Sequence, residues 1–153
     1  MSPAPSRLVD VRMVDVRGPR FAAWVTSAVL ALALVLGSGW LVAVQAVVFA
    51  VGAFGGLRYA PYGVLFRTVV APRLGPVRER EPEAPPRFAQ AVGLLFAVVG
   101  AAGYLLGAPV LGAVATGFAL VAALLNAATG FCLGCELYLI VRRALPASPA
   151  NIA

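Results

Sequence analysis

The chain has 153 residues, of which 61% are hydrophobic and only 12% are charged. About a quarter of the residues of a soluble domain are charged, so this composition indicates a membrane protein. All 12 basic residues are arginine and the chain has no histidine, which excludes Ser-His-Asp and zinc-hydrolase chemistry within one chain. The net charge of +6 is better explained by membrane topology and lipid headgroups than by nucleic acid, and we predict no nucleic-acid binding.

The first apolar region follows a polar segment, residues 1–20, which we interpret as an N-terminal tail. From Phe21 to Leu57 no side chain is ionisable. A membrane-spanning helix needs about 20 mostly apolar residues, so this region is long enough for two helices. The string Gly37-Ser38-Gly39-Trp40 marks the turn between them. The sequence therefore predicts spans over residues 21–36 and 41–57.

The longest charged connection covers residues 58–87 and contains six arginines and three glutamates. Inside it, the segment from Pro61 to Val70 is apolar except for Arg67. Proline at the first helical position and just beyond the last one is ordinary helix punctuation. We therefore expect a short helix in the headgroup plane. A stiff extended link is expected where further prolines follow, at Pro76, Pro82, Pro85 and Pro86.

The second apolar region predicts spans over residues 88–106 and 110–128, with Gly107-Ala108-Pro109 as the turn. The apolar character continues to Val141, and Gly130 is the expected break because glycine weakens a helix interior. Residues 131–143 then form a separate juxtamembrane helix, and residues 144–153 a C-terminal tail. The alternative is one long, tilted helix that runs through Gly130.

The two regions resemble each other, because Pro19-Arg20-Phe21-Ala22 and Pro86-Arg87-Phe88-Ala89 each introduce a hairpin. A parallel repeat about an axis along the membrane normal is the expected relation. The predicted fold is an all-α membrane protein with four transmembrane helices in two hairpins. Short amphipathic interfacial helices are expected after the second and fourth spans.

Four spans place every arginine on one face and leave two uncharged turns on the other. The positive-inside rule then makes the arginine face cytoplasmic, with both termini there. We expect a multi-pass protein of a bacterial inner membrane, in contact with lipid.

The only residues with redox chemistry are Cys132 and Cys135, the two cysteines of the chain. At spacing i, i+3 they share one side of a helix turn. If Gly130 ends the preceding helix, Cys132 lies in the first turn of the next, where free N–H groups and the helix dipole favour a thiolate. Glu136 is placed to take a proton from either thiol. Because the cytoplasm keeps thiols reduced, we expect a dithiol at rest that is cycled during turnover.

Two other interpretations of the cysteines remain open. They are also small apolar residues that simply pack. A metal site is not predicted for one chain, since a tetrahedral site needs four ligands and would require cysteines shared across an oligomer. Within the spans, Gln45 and Asn126 are expected to form interhelical hydrogen bonds.

Several strings together resemble one family of bacterial membrane proteins. They are Gly18-Pro19-Arg20-Phe21, the segment from Pro61-Tyr62-Gly63 to Pro72-Arg73-Leu74-Gly75-Pro76, Pro86-Arg87-Phe88-Ala89-Gln90, and Leu125-Asn126-Ala127-Ala128-x-Gly130-Phe131-Cys132-Leu133-Gly134-Cys135-Glu136. Over about Val14 to Arg143 the chain resembles domain-of-unknown-function family 4395. The resemblance implies an integral membrane protein and emphasises the cysteine motif, without an activity. In layout the chain is also similar to four-helix membrane thiol oxidoreductases that pair a C-x-x-C with a quinone, although here the sidedness is opposite.

The predicted function is a membrane thiol–disulfide redox or sulfur-relay component. Cys132 would be the nucleophile, Cys135 the resolving thiol and Glu136 the proton acceptor. A thioredoxin-like or sulfurtransferase protein is the expected soluble partner. A membrane quinone is the candidate electron acceptor, although no sequence signature requires a cofactor.

Two other classes of function remain open, and the sequence predicts no oligomeric state. One is a non-catalytic membrane scaffold or assembly factor, in which the cysteines only pack. The other is a carrier of small sulfur anions. A carrier needs a polar path between the helices, for which the spans offer Gln45, Thr116 and Asn126.

Overall fold

The computed structural model describes residues 12–145, so most of the predicted N-terminal tail and residues 146–153 lie outside the described part. The described chain is mostly helical. Its elements in order are β1 (Met13–Asp15), α1 (Arg17–Leu36), α2 (Gly39–Ala50), α3 (Pro61–Leu65), β2 (Arg80–Pro82), α4 (Ala84–Leu105), α5 (Pro109–Thr129) and α6 (Leu133–Ala144). A π-helical turn, Val51–Gly55, extends α2. A second such turn, Phe66–Val70, and a short 3-10 helix, Ala71–Arg73, extend α3.

Three helices within residues 12–145 are long and apolar enough to cross a membrane: α1 with 20 residues, α4 with 22 and α5 with 21. The remaining predicted span, residues 41–57, corresponds to a shorter apolar helix from Gly39 to Gly55. The prediction of a helical membrane protein is thus confirmed in its coarse form, while four spans in two hairpins stay a prediction.

Both predicted turns between spans are present. Gly37 has a φ of 61°, a left-handed conformation that suits glycine, and its N–H bonds back to the last turn of α1. The Ser38 hydroxyl then accepts the N–H of Leu41 at 3.3 Å, which caps the start of α2. Gly107 has a φ of 89° between α4 and α5.

The connection differs from the predicted extended link. Strand β2 pairs antiparallel with β1, with Val14 opposite Glu81. This pairing was not predicted, because two charged three-residue strands carry no alternating apolar pattern. Helix α4 begins at Ala84 rather than at residue 88, so Pro85 and Pro86 lie in its first turn. Proline is tolerated there because the N–H it lacks has no partner within the helix.

The helices pack through small residues. Helix α4 lies between α2 and α5, and α1 packs on α5. A Cβ added to Gly103 would lie 2.5 Å from the backbone nitrogen of Gly112, so α4 and α5 meet backbone to backbone. Such close approach is typical of helix pairs in membranes, where dispersion contacts replace the hydrophobic effect.

A buried polar network joins the first three helices. Gln45 on α2 is completely buried, and its Nε2 donates to Thr26 Oγ1 on α1 at 3.4 Å. The hydroxyl of Tyr62 on α3 donates to Gln45 Oε1 at 2.7 Å. The interhelical hydrogen bond predicted for Gln45 is therefore present, and it also fixes α3 to the bundle.

The two Pro-Arg-Phe-Ala motifs make equivalent contacts. Arg20, at the start of α1, donates from Nε and Nη2 to the carbonyls of Ala127 and Ala128 at 3.0 and 3.1 Å. Arg87, at the start of α4, donates in the same way to two carbonyls in the last turn of the helix from Gly39 to Gly55, at 2.7 and 2.9 Å. Arg20 thus caps the end of α5, and Arg87 caps the end of the helix from Gly39 to Gly55, so each arginine caps a helix of the other half.

The phenylalanines of the two motifs are equivalent as well. Phe21 packs on Phe66 just after α3, and Phe88 packs on Tyr138 of α6, each pair with ring centroids 5.7 Å apart. The contacts of the two halves therefore follow the internal repeat in the sequence.

Candidate functional site

The cysteine segment begins where α5 ends. Gly130 has a φ of 77°, and its N–H donates to the carbonyl of Asn126 at 2.9 Å, which closes the helix after Thr129. The chain then re-enters a helix at Leu133. The break lies at the predicted glycine, and the alternative of one continuous long helix is wrong.

Cys132 is the N-cap of α6 rather than a residue of its first turn. Its backbone is extended, with φ −96° and ψ 105°, and its Sγ accepts the N–H of Cys135 at 3.1 Å. Sulfur here takes the role usually filled by a serine or aspartate oxygen. The two sulfurs form a disulfide, with Cα atoms 5.1 Å apart, so the structure presents the oxidised pair. The dithiol at rest stays a prediction about the compartment.

Helix α6 is held closely against α4. A Cβ added to Gly134 would lie 2.5 Å from Ala89 Cβ and 2.6 Å from Ala89 Cα. The Phe88–Tyr138 contact lies one turn further along. Only a glycine between the two cysteines permits this approach, so the sequence Cys-Leu-Gly-Cys fixes where the disulfide lies relative to α4.

Both cysteines line a cavity of about 510 Å³ between α1, α4, α5 and α6. The cavity extends along α5 from Phe118 to Gly130, and the disulfide lies at the Gly130 end. Most of its lining residues are apolar, among them several alanines and the phenylalanines Phe96 and Phe118, whose ring centroids are 6.2 Å apart. The disulfide is therefore in contact with an apolar space that an extended or flat molecule can occupy.

The polar residues of this cavity come from segments far apart in the chain. They are Arg20, Thr26, Glu79, Glu81, Gln90 and Asn126. Burial raises the pKa of Glu81 above its ordinary value, and the nearby charge of Glu79 raises it further. By contrast, Glu136 is exposed in the first turn of α6 and is not among the lining residues.

The structure therefore brings Cys132 and Cys135 to the cavity and leaves Glu136 outside it. Sequence reasoning missed Glu79 and Glu81, although their charge cluster is visible in the connection. Their placement depends on the pairing of β2 with β1, a long-range contact without a sequence signal.

The residues predicted for a polar carrier path do not come together at this cavity. Gln45 and Thr116 are completely buried and do not line it, whereas Asn126 does. Within residues 12–145 there is also no cluster of three or more His, Cys, Asp or Glu side chains that could hold a metal ion.

The fold and the site define a mostly helical protein with helices able to span a membrane and a disulfide at the start of α6. A family model for a domain of unknown function, DUF4395, matches residues 14–143. The chain belongs to this family, as its resemblance had indicated. No curated protein and no solved structure is significantly similar to the chain.

Proposed function

We propose that this protein is a membrane thiol–disulfide exchange component, with Cys132 and Cys135 as its reactive pair. The proposal rests on three features that lie together in the structure. These are a C-x-x-C pair, the N-terminus of α6 and a largely apolar cavity. Both cysteines are only partly buried, so a soluble partner has access to the sulfurs while the cavity holds an apolar molecule.

The proposed topology has four spans in two antiparallel hairpins. The contacts of Arg20 and Arg87 support it, because they bring the starts of α1 and α4 to the ends of α5 and α2. At the other end of the bundle, a Cβ on Gly39 would touch Tyr104 and Leu105, so the two uncharged turns also meet.

The helix from Gly39 to Gly55 is the shortest proposed span. At about 1.5 Å per residue it is roughly 25 Å long, and local thinning of the bilayer accommodates such a mismatch. The arginine-rich end is then cytoplasmic, and the host membrane is a bacterial inner membrane.

In the proposed exchange, the Cys132 thiolate attacks a disulfide of a thioredoxin-like partner. The partner's S–S bond breaks, its leaving sulfur takes a proton, and a mixed disulfide forms on Cys132. The Cys135 thiolate then attacks Cys132 Sγ and releases the second partner sulfur as a thiol. The chain loses two electrons, the partner gains two, and the reverse sequence oxidises a partner dithiol.

Sulfur relay uses the same nucleophile without a net change of oxidation state. The Cys132 thiolate attacks the outer sulfur of a sulfurtransferase persulfide, and the partner leaves as a thiolate. Arg20 lines the same cavity as the cysteines, and its positive charge favours anionic thiolate and persulfide groups there.

Proton transfer has two candidate acceptors. Glu136 follows Cys135 directly in the sequence, while Glu81 lines the cavity and has a raised pKa. Carboxylates whose pKa lies nearer neutrality exchange protons more efficiently at cellular pH. Comparing Glu81→Gln with Glu136→Gln in a single-turnover thiol assay identifies which side chain takes the proton.

The cavity fits an apolar electron acceptor. Its lining includes the aromatic rings of Phe96 and Phe118 and the hydrogen-bonding side chains of Gln90 and Asn126. A membrane quinone bound there would supply the two-electron acceptor for the reduced pair. The chain's own contribution would be to orient the ring and to exclude water from the sulfurs.

The test is mixed-disulfide trapping in the native host. The Cys135→Ser variant leaves Cys132 without its resolving thiol, so a covalent, dithiothreitol-sensitive complex with a soluble partner is expected. The control is Cys132→Ser/Cys135→Ser, which cannot form it. Absence of any trapped partner, together with Cys132 that no maleimide probe labels in membranes, would refute the proposal.

If Cys132 and Cys135 only pack, the opposite result is expected. In that case alanine at both positions leaves growth under oxidative and sulfur stress unchanged and preserves co-purification of the membrane partners. That outcome would assign the protein to the scaffold class.

A further inference from the structure

A second cavity, of about 680 Å³, contains neither cysteine in its lining, although Pro19, Ala22, Pro86 and Gln90 border both cavities. It is lined by β1, the start of α1, the segment around α3, β2 and the start of α4. Four arginines from separate segments line it: Arg12, Arg58, Arg67 and Arg80. The proposed thiol exchange uses none of them.

The two carboxylates that line this cavity are already engaged. Asp15 forms an ion pair with Arg17 at 2.8 Å and accepts further hydrogen bonds from the same residue. Glu83 is 8% exposed, and its Oε1 accepts the N–H of Leu57 at 2.7 Å. Asp15 also interacts electrostatically with Arg80, so two carboxylates that already have other partners face four lining arginines, and positive charge is in excess.

The arginines themselves make no ion pair. Within residues 12–145, Arg17–Asp15 is the one pair of opposite charges within 4.0 Å. Arg67 donates to the carbonyl of Arg58, and the Arg58 guanidinium lies 5.7 Å from the ring centre of Tyr59. A carbonyl group and an aromatic ring do not neutralise these two guanidinium charges, and the excess of positive charge in the lining favours an anionic ligand.

Apart from Gln90, the rest of the lining is apolar or glycine. Leu57 and Phe66 contribute side chains that are 8% and 2% exposed, and Ala22 and Val77 also line the cavity. Beside it, Val64, Leu65 and Val69 are exposed, as expected of a segment whose apolar side chains meet lipid. The ligand that matches this lining combines an anionic head with an apolar body.

We propose that this cavity binds the phosphate group of an anionic phospholipid, with its acyl chains extending past α3. Arginine suits this role because its planar guanidinium donates two parallel hydrogen bonds to phosphate oxygens. Free inorganic phosphate shares the head group chemistry but lacks the apolar part. The proposal is independent of any redox activity of the cysteines.

The experiment is a lipid titration of the full chain in detergent, followed by native mass spectrometry. The probes are phosphatidylglycerol, phosphatidylcholine and inorganic phosphate. Three double variants are compared with the native chain: Arg12→Gln/Arg80→Gln, Arg58→Gln/Arg67→Gln and, as the matched control, Arg73→Gln/Arg78→Gln. The control arginines are exposed residues of the same connection and do not line the cavity.

Each cavity variant is expected to weaken binding of the first phosphatidylglycerol by about tenfold or more, since each basic residue near an anionic lipid contributes roughly fivefold. The control should change it by less than about twofold. Phosphatidylcholine should bind weakly throughout, and inorganic phosphate should not displace phosphatidylglycerol.

Several outcomes would overturn the proposal. Equal binding of phosphatidylglycerol and phosphatidylcholine would mean that apolar surface alone determines binding. An equal loss of binding in the control variant would mean that the total charge of the connection, and not the cavity, determines it. Full displacement by inorganic phosphate would mean a site for the free anion. Because Arg67 also bonds to the Arg58 carbonyl, a misfolded Arg58→Gln/Arg67→Gln variant would leave Arg12→Gln/Arg80→Gln as the deciding comparison.

Discussion

The close approach of Gly134 to Ala89 predicts what happens when the site loses its glycine. In Gly134→Ala the new Cβ would lie 2.5 Å from Ala89 Cβ and 2.6 Å from Ala89 Cα, and neither atom is the end of a flexible side chain. Overpacking of this kind typically costs about 1–3 kcal/mol. Because α6 packs mainly on α4, we expect the cost to appear as local detachment of α6 rather than global unfolding.

The measurement is hydrogen–deuterium exchange over residues 133–144 in lipid nanodiscs. An opening free energy lowered by that amount accelerates exchange by about 5- to 150-fold. Gly117→Ala is the control, because nothing lies within 4 Å of an added Cβ there and alanine favours the helix by about 1 kcal/mol. Adding Ala89→Gly to Gly134→Ala should rescue only partly, because the new methyl group would still crowd the backbone at position 89. Unchanged exchange in Gly134→Ala would refute the view that this close approach positions α6.

Three further changes test the fold. Tyr62→Phe removes the donor to the buried Gln45 Oε1, so the free energy of unfolding should fall by about 1–3 kcal/mol, measured by denaturant titration in micelles. Arg20→Gln and Arg87→Gln should each cost about 1 kcal/mol in the same assay, and equally, because their caps are equivalent and solvent-screened. The side-chain hydrogen bond from Arg17 is the main cause of the lowered pKa of Asp15, so the stability that this bond gives β1 should be lost as the pH falls through that lowered pKa. Asp15→Asn should abolish this pH dependence, which is measured by hydrogen–deuterium exchange at residues 13–15.

Each of these has a contradicting result. If Tyr62→Phe changes the free energy of unfolding by the same amount with and without Gln45→Leu, the two side chains are not coupled. Clearly unequal costs for Arg20→Gln and Arg87→Gln would argue against equivalent halves. A β1 whose acid sensitivity survives Asp15→Asn would point to another titrating group.

The sequence predicts the helices well because their signals are local. Uninterrupted apolar stretches specify α1, α4 and α5, and glycine with positive φ marks the ends at Gly37 and Gly130. Cys132 is the N-cap of α6, although the sequence placed it in the first helical turn. Local patterns rarely resolve a difference of one residue at a helix end.

The site could be predicted only in part, because its remaining components come from distant segments. Nothing local indicates that Glu81 reaches the cavity of the disulfide, since its position depends on a strand pairing of three residues. Glu136, which follows Cys135 in the sequence, is exposed in α6 and does not line the cavity, and its role in proton transfer stays a prediction.

The crossed arginine caps have a consequence for how the molecule is assembled. Carbonyl groups at the ends of α5 and of the helix from Gly39 to Gly55 find their donors on the opposite half, through Arg20 and Arg87. Inserted alone, either half would lose these donors together with the packing of α1 on α5 and of α2 on α4, so we expect neither to be a self-sufficient folding unit. A chain severed within the connection should accumulate only when both pieces are made together in the same membrane.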